Sequence, residues 1–238
     1  MRSQQLASVV FIIMAKRIET RPQRRSNAVD RSVVLRKVME ILSVKGFTNA
    51  SMADLTSTAG LRRSTLHKGF GTRDEILRAA IRFCADTEAS LAHEPLRVSS
   101  TGREAILSMF EENLRLHRYW PRNCDCLFSL NAFMVPPGDV DLQNFLIEKR
   151  RSLSKQIRCR LIQSINEGEL PKGTNCEALA SLCFIVLSGI AVRIWDGAPS
   201  GVLFRSIELF VNALGFQPRG RLAKSGSGRS RGLVKITR

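Results

Sequence analysis

Residues 51–70 read SMADLTSTAGLRRSTLHKGF, and this stretch decides the fold of the chain. Its first half begins with Ser51, which is followed three residues later by Asp54. In this pattern a hydroxyl and a carboxylate cap the first turn of a helix. Gly60 can adopt the left-handed conformation that ends such a helix and turns the chain. Because a second short helix follows over residues 62–69, the stretch predicts a helix-turn-helix.

The two predicted helices offer different surfaces. In the first, Met52, Leu55 and Ala59 fall on one face. In the second, only Leu66 and Phe70 are spaced to pack inward. The side chains left to point outward include no acid, and they are Arg62, Arg63, Ser64, Thr65, His67 and Lys68. The second helix is therefore predicted to meet an anion.

The net charge of the 238-residue chain is +16, and most of it lies in the two tails. Residues 1–31 hold seven Lys or Arg and two acids, residues 219–238 hold seven and no acid, and residues 32–218 keep only +4. Basic tails attract any polyanion and add nonspecific DNA affinity rather than sequence choice. The alternative is that the tails are merely disordered and solubilising, since Gly, Ser and Arg cannot build a core.

Cysteine usage and hydropathy predict a soluble, cytoplasmic protein. The six cysteines, at positions 84, 124, 126, 159, 176 and 183, form no CxxC pair, which favours a reducing compartment. The apolar run at residues 6–15 is too short to span a membrane. It is interpreted as an extension upstream of a start at Met14, with a signal peptide as the lesser alternative. No other segment approaches eighteen uninterrupted apolar residues.

Helical periodicity continues through the rest of the chain, and no segment alternates as a strand would. A first helix ends at Gly46, and Thr72 caps a fourth helix that runs to about Leu91. Pro95 and residues 98–102 then break the chain at a domain junction. Further helices are predicted over residues 103–117, 124–135, 140–167, 175–195 and 202–214. The predicted fold is all-α, with about nine helices.

Four features follow one another in a fixed order along residues 28–88. They are Gly46-Phe47, SMADLTSTAGL at 51–61, STLHKGF at 64–70 and TRDEIL at 72–77. This order resembles the TetR/AcrR family of bacterial transcriptional regulators, and GELP at 168–171 is also typical of it. The resemblance implies a homodimer that binds a palindromic double-stranded DNA operator and releases it when a small ligand enters the C-terminal domain. It divides the chain into a disordered basic arm (1–27), a DNA-binding domain (28–88), a regulatory and dimerisation domain (101–216) and a disordered basic tail (217–238).

The resemblance also implies which residues meet DNA. Thr65 and Lys68 match recognition-helix positions that touch DNA in the family. Arg73 matches the lysine with which the fourth helix grips a backbone phosphate. His67 departs from the usual tyrosine, and Gly69 departs from an aromatic residue or histidine.

Residue type suggests how these side chains divide the work. Arg62 and Arg63 stand at the positive N-terminal end of the recognition helix, which suits phosphate or bidentate contact with guanine. His67 and Lys68 are assigned to phosphate, whereas Ser51 either joins them or is fully used as a helix cap. The complete predicted DNA-binding set is Ser51, Arg62, Arg63, Ser64, Thr65, His67, Lys68 and Arg73.

The C-terminal domain is predicted to hold a ligand pocket and a dimer interface. The candidate lining is Phe110, Leu114, His117, Tyr119, Trp120, Phe128, Phe133 and Phe145. Aromatic rings with one histidine and one tyrosine suit a hydrophobic effector with one or two polar groups, although each residue could be ordinary core. The helices at 175–195 and 202–214 are apolar on more than one face, so a second copy is expected to cover them.

The sequence contains no motif that predicts catalysis, a cofactor or a metal site. Its three histidines lie in different predicted helices, and it lacks the common zinc-protease, phosphate-loop and serine-hydrolase motifs. The sequence leaves three alternatives to a ligand-released repressor open. A helical interaction protein with weakened DNA specificity is suggested by His67 and Gly69, and a thiol-based electrophile sensor by Cys126. A hydrolase using Cys126 and His117 would need a depressed thiol pKa.

Overall fold

The computed structural model describes residues 30–119, 135 and 138–218, and all regular structure within these ranges is helical. The helices are α1 (Arg31–Asn49), α2 (Met52–Ala59), α3 (Arg63–Phe70), α4 (Arg73–Asp86), α5 (Glu88–Ala92), α6 (Pro95–Val98), α7 (Gly102–Tyr119), α8 (Val140–Asn166), α9 (Cys176–Trp195) and α10 (Ser200–Ala213). The all-α prediction is therefore confirmed. The predicted helix at 124–135 lies outside the described ranges except for residue 135, as do the N-terminal arm, Cys124, Cys126 and the tail beyond residue 218.

The helix-turn-helix forms at the predicted positions. The Asp54 amide donates to Ser51 Oγ at 3.1 Å, and the Ser51 amide donates back to the Asp54 carboxylate at 2.9 Å, which completes a capping box. Gly60 ends α2 in the left-handed conformation, with φ of 67°. A second box, between Thr72 and Glu75, begins α4. Contacts over three residues thus fix where α2 and α4 begin.

One predicted helix end is confirmed and another differs from the structure. The first helix breaks at Gly46 as predicted, where φ of 70° and ψ of 173° are not helical, and one further turn follows up to Asn49. The fourth helix does not run to Leu91, because the chain bends at Thr87 and starts the separate helix α5. The Thr87 hydroxyl donates to the Phe83 carbonyl at 2.6 Å, and such bonds to the preceding turn tend to bend a helix.

Two hydrophobic clusters form the interior of the described protein. The first, here called the head core, is built mainly by α1–α4 and includes Leu35, Leu55, Leu66 and Ile76. The second, the body core, is built mainly by α7–α10 and includes Ile106, Phe110, Cys183 and Ile207. The recognition unit therefore has an apolar core distinct from that of the helices that follow it.

Helix α8 contributes to both cores. Leu146, near its N-terminus, packs into the head core, whereas Leu153 and Ile157 pack into the body core. Asp139, the N-cap of α8, accepts a hydrogen bond from Arg78 of α4 at 2.5 Å. One continuous helix therefore joins the recognition unit to the body.

Helix α9 is long and apolar, and much of it lies at the surface of the described protein. Its segment Cys176–Ile194 has the length and hydropathy of a membrane span, with a mean hydropathy of 1.9, but only 28% of it is buried. Cys183 and Leu187 pack into the body core, whereas Leu182 and Ile185 are exposed on the outside. The described residues leave much of the apolar surface of α9 uncovered.

Candidate nucleic-acid interface

Helix α3 is anchored by one buried side chain and exposes most others. Leu66 is fully buried in the head core, and Phe70 packs against that core partly buried. The side chains predicted to point outward are all exposed, namely Arg62, Arg63, Ser64, Thr65, His67 and Lys68. Their exposure is confirmed, while their contact with DNA stays a prediction. The surface that they form, here called the recognition face, carries basic and hydroxyl groups without an acid.

The N-terminal end of α3 is suited to an anion. Arg62 is the N-cap, with extended backbone at φ −69° and ψ 147°, and its side chain makes no capping hydrogen bond. The first turn holds no acidic residue. Amides at a helix start that lack a capping side chain, together with the positive end of the helix dipole, favour a phosphate oxygen.

The other end of α3 is supported by a contact that the sequence did not indicate. Arg31 Nη1 donates to the Gly69 carbonyl at 2.8 Å, and the Arg31 guanidinium lies 4.4 Å from the centroid of the Phe70 ring. A cation is favourable at a helix C-terminus and over an aromatic face. Glycine has a low helix propensity, and Arg31 therefore stabilises the end of α3 at which Gly69 lies. Because the two residues are 38 positions apart, no local pattern reveals the pair.

Arg73 is used within the protein. Its Nε donates to the Ala50 carbonyl at 2.5 Å, its Nη2 donates to the carbonyls of Phe47 and Thr48, and its Nη1 lies 2.5 Å from an Asp74 carboxylate oxygen. The side chain is 27% exposed. The guanidinium thus fastens the end of α1 to the start of α4, whereas its assignment to a DNA phosphate stays a prediction.

Ser51 is also used within the protein. Its hydroxyl donates to Asp54 Oδ2 at 2.7 Å and accepts from the Asp54 amide, while Lys45 Nζ lies 2.5 Å from Asp54 Oδ1. The hydrogen bonds from Lys45 and then from Ser51 lower the pKa of Asp54 to about 2. Of the two roles that the sequence left open for Ser51, the geometry favours the helix cap.

The predicted ligand-pocket residues do not form a single group. Phe110 and Leu114 lie in the body core, where Phe110 meets Phe210 edge to face with ring centroids 5.6 Å apart. Phe145 instead packs against the head core, with the Arg82 guanidinium 4.5 Å from its ring centroid. Its inclusion in the lining stays a prediction, and periodicity gave the face of α8 on which it lies but not the core that the face meets. The side chains of His117 and Tyr119, and residues Trp120, Phe128 and Phe133, lie outside the described part of the chain.

The chain is similar to known transcriptional regulators in sequence and in structure. No protein-family profile matches the chain. It is 25% identical over 157 residues to the uncharacterized HTH-type transcriptional regulator YezE of Bacillus subtilis, which covers 66% of this chain and 81% of that protein. It is 25% identical over 179 residues to the HTH-type transcriptional repressor ComR of Escherichia coli, with coverages of 73% and 83%.

Among solved structures, the chain is similar to a cysteine mutant of the TetR family transcriptional regulator CifR complexed with 26 bp double-strand operator DNA. The TM-score is 0.69 at 26% identity, and the match covers 79% of this chain and 99% of that one. The match therefore includes the head and the body together.

Proposed function

We propose that the chain is a DNA-binding transcriptional regulator of the TetR family, and that it is a cytoplasmic repressor that a small ligand releases from its operator. The observation that carries this proposal is the recognition face of α3, where exposed basic and hydroxyl side chains surround the single buried anchor Leu66. A helix of this kind fits the major groove of DNA. The likeness to the repressor ComR and to an operator-bound regulator supports the same function.

Two kinds of contact are proposed for the recognition face. Arg62 and Arg63 stand at the uncapped start of α3 and bind a phosphate or the paired acceptors of guanine. His67 and Lys68, one turn further on, bind phosphate, and the short Thr65 reaches a base only when the helix lies deep in the groove. Phosphate contacts position the protein, whereas base contacts choose the sequence.

A second copy of the chain is proposed to cover α9 and α10. Exposed apolar or small residues recur every three or four positions on both helices, which gives each a continuous outer stripe. The stripes are Ala178, Leu182, Ile185, Gly189 and Val192 on α9, and Val202, Ser206, Leu209 and Ala213 on α10. Two-fold pairing through them gives a four-helix interface and matches a palindromic operator.

Gel-shift titration against the promoter region beside the gene tests DNA binding. Arg62→Ala and Arg63→Ala are each expected to weaken specific binding about tenfold or more, because a charge-assisted bond is lost. Arg151→Ala is the matched control, since that side chain is 75% exposed on α8, away from the recognition face. Binding without preference over competitor DNA, or equal affinity of all three variants, would contradict the proposal.

Sedimentation velocity tests the proposed dimer. Ile185→Glu and Leu209→Glu place a charge on side chains that are 62% and 72% exposed, and both variants are expected to sediment as monomers. Val98→Glu, at a similarly exposed position on α6 (66%), is expected to leave the dimer intact. A wild-type monomer at micromolar concentration would overturn this interface.

The alternative of a helical interaction protein with weakened DNA specificity is tested at the two unusual positions of α3. A side chain at Gly69 would meet nothing within 4 Å of its Cβ, so Gly69→Tyr can be combined with His67→Tyr. If the double variant gains operator affinity by orders of magnitude over the wild type, the alternative is favoured. If its operator affinity changes little, the wild type already binds DNA specifically and the alternative is not favoured.

A further inference from the structure

Between Leu142 and Ile157, the inner row of α8 is apolar except at one position, and Arg160 and Ser164 are buried further along the helix. Leu146, Leu153 and Ile157 are buried along this row, and steps of four and three residues put Arg150 on the same face between the first two. Leu146 belongs to the head core and Leu153 to the body core. Arg150 therefore lies where the two cores meet, at a position whose neighbours in the row are all leucine or isoleucine.

The Arg150 guanidinium is not neutralised by the part of the chain that the structure describes. Its Nη1 is buried and makes no hydrogen bond, and burial lowers the pKa of this guanidinium. Its neighbours have acidic partners, since Lys149 Nζ lies 2.5 Å from Asp86 and Arg151 lies 3.9 Å from Glu148 at the surface. The Arg150 side chain as a whole is partly buried, so the cost of desolvation falls on the buried nitrogen, and a bound anion offsets that cost.

We propose that Arg150 binds the acidic group of the effector, and that the effector is a small organic carboxylate with an apolar tail. This inference rests on the proposed ligand-responsive function. A guanidinium presents two parallel N–H donors that match the two oxygens of a carboxylate. One unpaired positive charge is balanced by one negative charge, whereas a phosphate dianion would bring an excess charge into the interior. Leu146 and Leu153 fill the two cores on either side of Arg150, so the surroundings of the guanidinium are apolar, which favours a ligand with an apolar tail.

The location of Arg150 also gives the ligand a route to the recognition unit. A carboxylate held there contacts α8 between its head segment and its body segment. The head segment is tied to α4 by the Arg78 to Asp139 hydrogen bond at 2.5 Å. A ligand that binds more tightly in one arrangement of α8 shifts the protein toward that arrangement. The site is thus placed to bias operator binding without touching α3.

Isothermal titration of the full-length chain, in the absence of DNA, tests the site. The probes are octanoate, decanoate and phenylacetate, each beside its neutral primary amide, with octyl phosphate as a further comparison. We expect at least one carboxylate to bind, with its amide and the phosphate at least tenfold weaker. Arg150→Met is expected to weaken that carboxylate at least tenfold, whereas the neighbouring control Arg151→Met leaves its affinity unchanged.

The melting temperature of the variant shows whether a loss of binding is caused by unfolding. Arg150→Met keeps the side-chain length and removes a partly buried charge whose Nη1 has no hydrogen-bond partner, so its melting temperature is expected to be no lower than that of the wild type. The site is overturned if no carboxylate binds the wild type, if an amide binds as tightly, or if the Arg150 and Arg151 variants bind alike. Gel shifts are run separately: a bound carboxylate that leaves the operator complex intact refutes ligand release, whereas operator binding without carboxylate binding refutes this site alone.

Discussion

The head and the body are both helical, but the contacts that fix where their helices α2 and α7 begin span very different distances along the chain. In the head, α2 begins where Ser51 and Asp54 cap it, three residues apart. In the body, the start of α7 depends on Gly102, whose amide donates to the buried Glu169 carboxylate at 2.6 Å across 67 positions. A short window of sequence therefore defines where α2 begins, whereas the start of α7 is defined only when distant segments meet.

The largest expected effect comes from emptying the body core. Phe110→Ala is expected to lower the free energy of unfolding by about 3–5 kcal/mol, because a fully buried ring is replaced by a cavity. Because α8 belongs to both cores, urea unfolding followed by circular dichroism should show one transition that shifts as a whole. Two transitions, of which the variant shifts only one, would separate head and body into independent units.

Two glycines should respond in opposite directions to the same change. A Cβ on Gly102 would lie 1.8 Å from Ser164 Oγ, which is buried, so Gly102→Ala is expected to cost about 1–3 kcal/mol of stability. A Cβ on Gly69 meets nothing within 4 Å, so Gly69→Ala should add up to about 1 kcal/mol. Thermal melting of both variants measures the contrast. A shift of the same sign in both would show that packing does not distinguish the two sites.

Two arginines of the head should separate stability from DNA binding. Arg73→Met leaves the carbonyls of Phe47, Thr48 and Ala50 without their donor, so a loss of about 1–3 kcal/mol in unfolding free energy is expected. Arg62→Met changes an exposed side chain, so its stability should stay within about 0.5 kcal/mol while operator affinity falls. Urea titrations and gel shifts of the same preparations give both quantities. Equal stability of the two variants would argue against the structural role of Arg73.

The smallest expected effect is a dependence on acid in the head. Asp54 has its pKa lowered from 3.8 to about 2, so its ionised form stabilises the folded state. That contribution is complete above about pH 4 and is lost as pH falls through the folded-state pKa near 2. The stability difference between the wild type and Asp54→Asn should therefore narrow as the pH is lowered. A difference that stays constant between pH 5 and pH 2 would show that this carboxylate does not contribute through its charge.

The features that sequence reasoning predicted correctly are those with local causes. The capping boxes, the turn at Gly60 and the outward face of α3 all follow from spacings of three or four residues. The anchor Leu66 was predicted on the same basis and is fully buried. Periodicity is sufficient for these features because the groups involved are neighbours on one turn of helix.

The features that the sequence did not reveal share a different cause. The family resemblance supplied the residue type at Arg73 but not the direction of its side chain, which turns inward to three carbonyls. Periodicity placed Phe145 on the inner face of α8 but did not show that this part of the helix meets the head. Arg31 and Gly69 meet across 38 positions, a pairing that only the folded chain can create.

Because α8 packs into both cores, the number of residues between its two buried segments is restricted. An α-helix turns by about 100° per residue, so one residue inserted between Leu146 and Leu153 would rotate the head-facing row by that angle relative to the body-facing row. The two rows could then not both reach their own cores while the helix stayed continuous. Between these two leucines the number of residues therefore acts as a phase, which sets the angle of the recognition helix relative to the body.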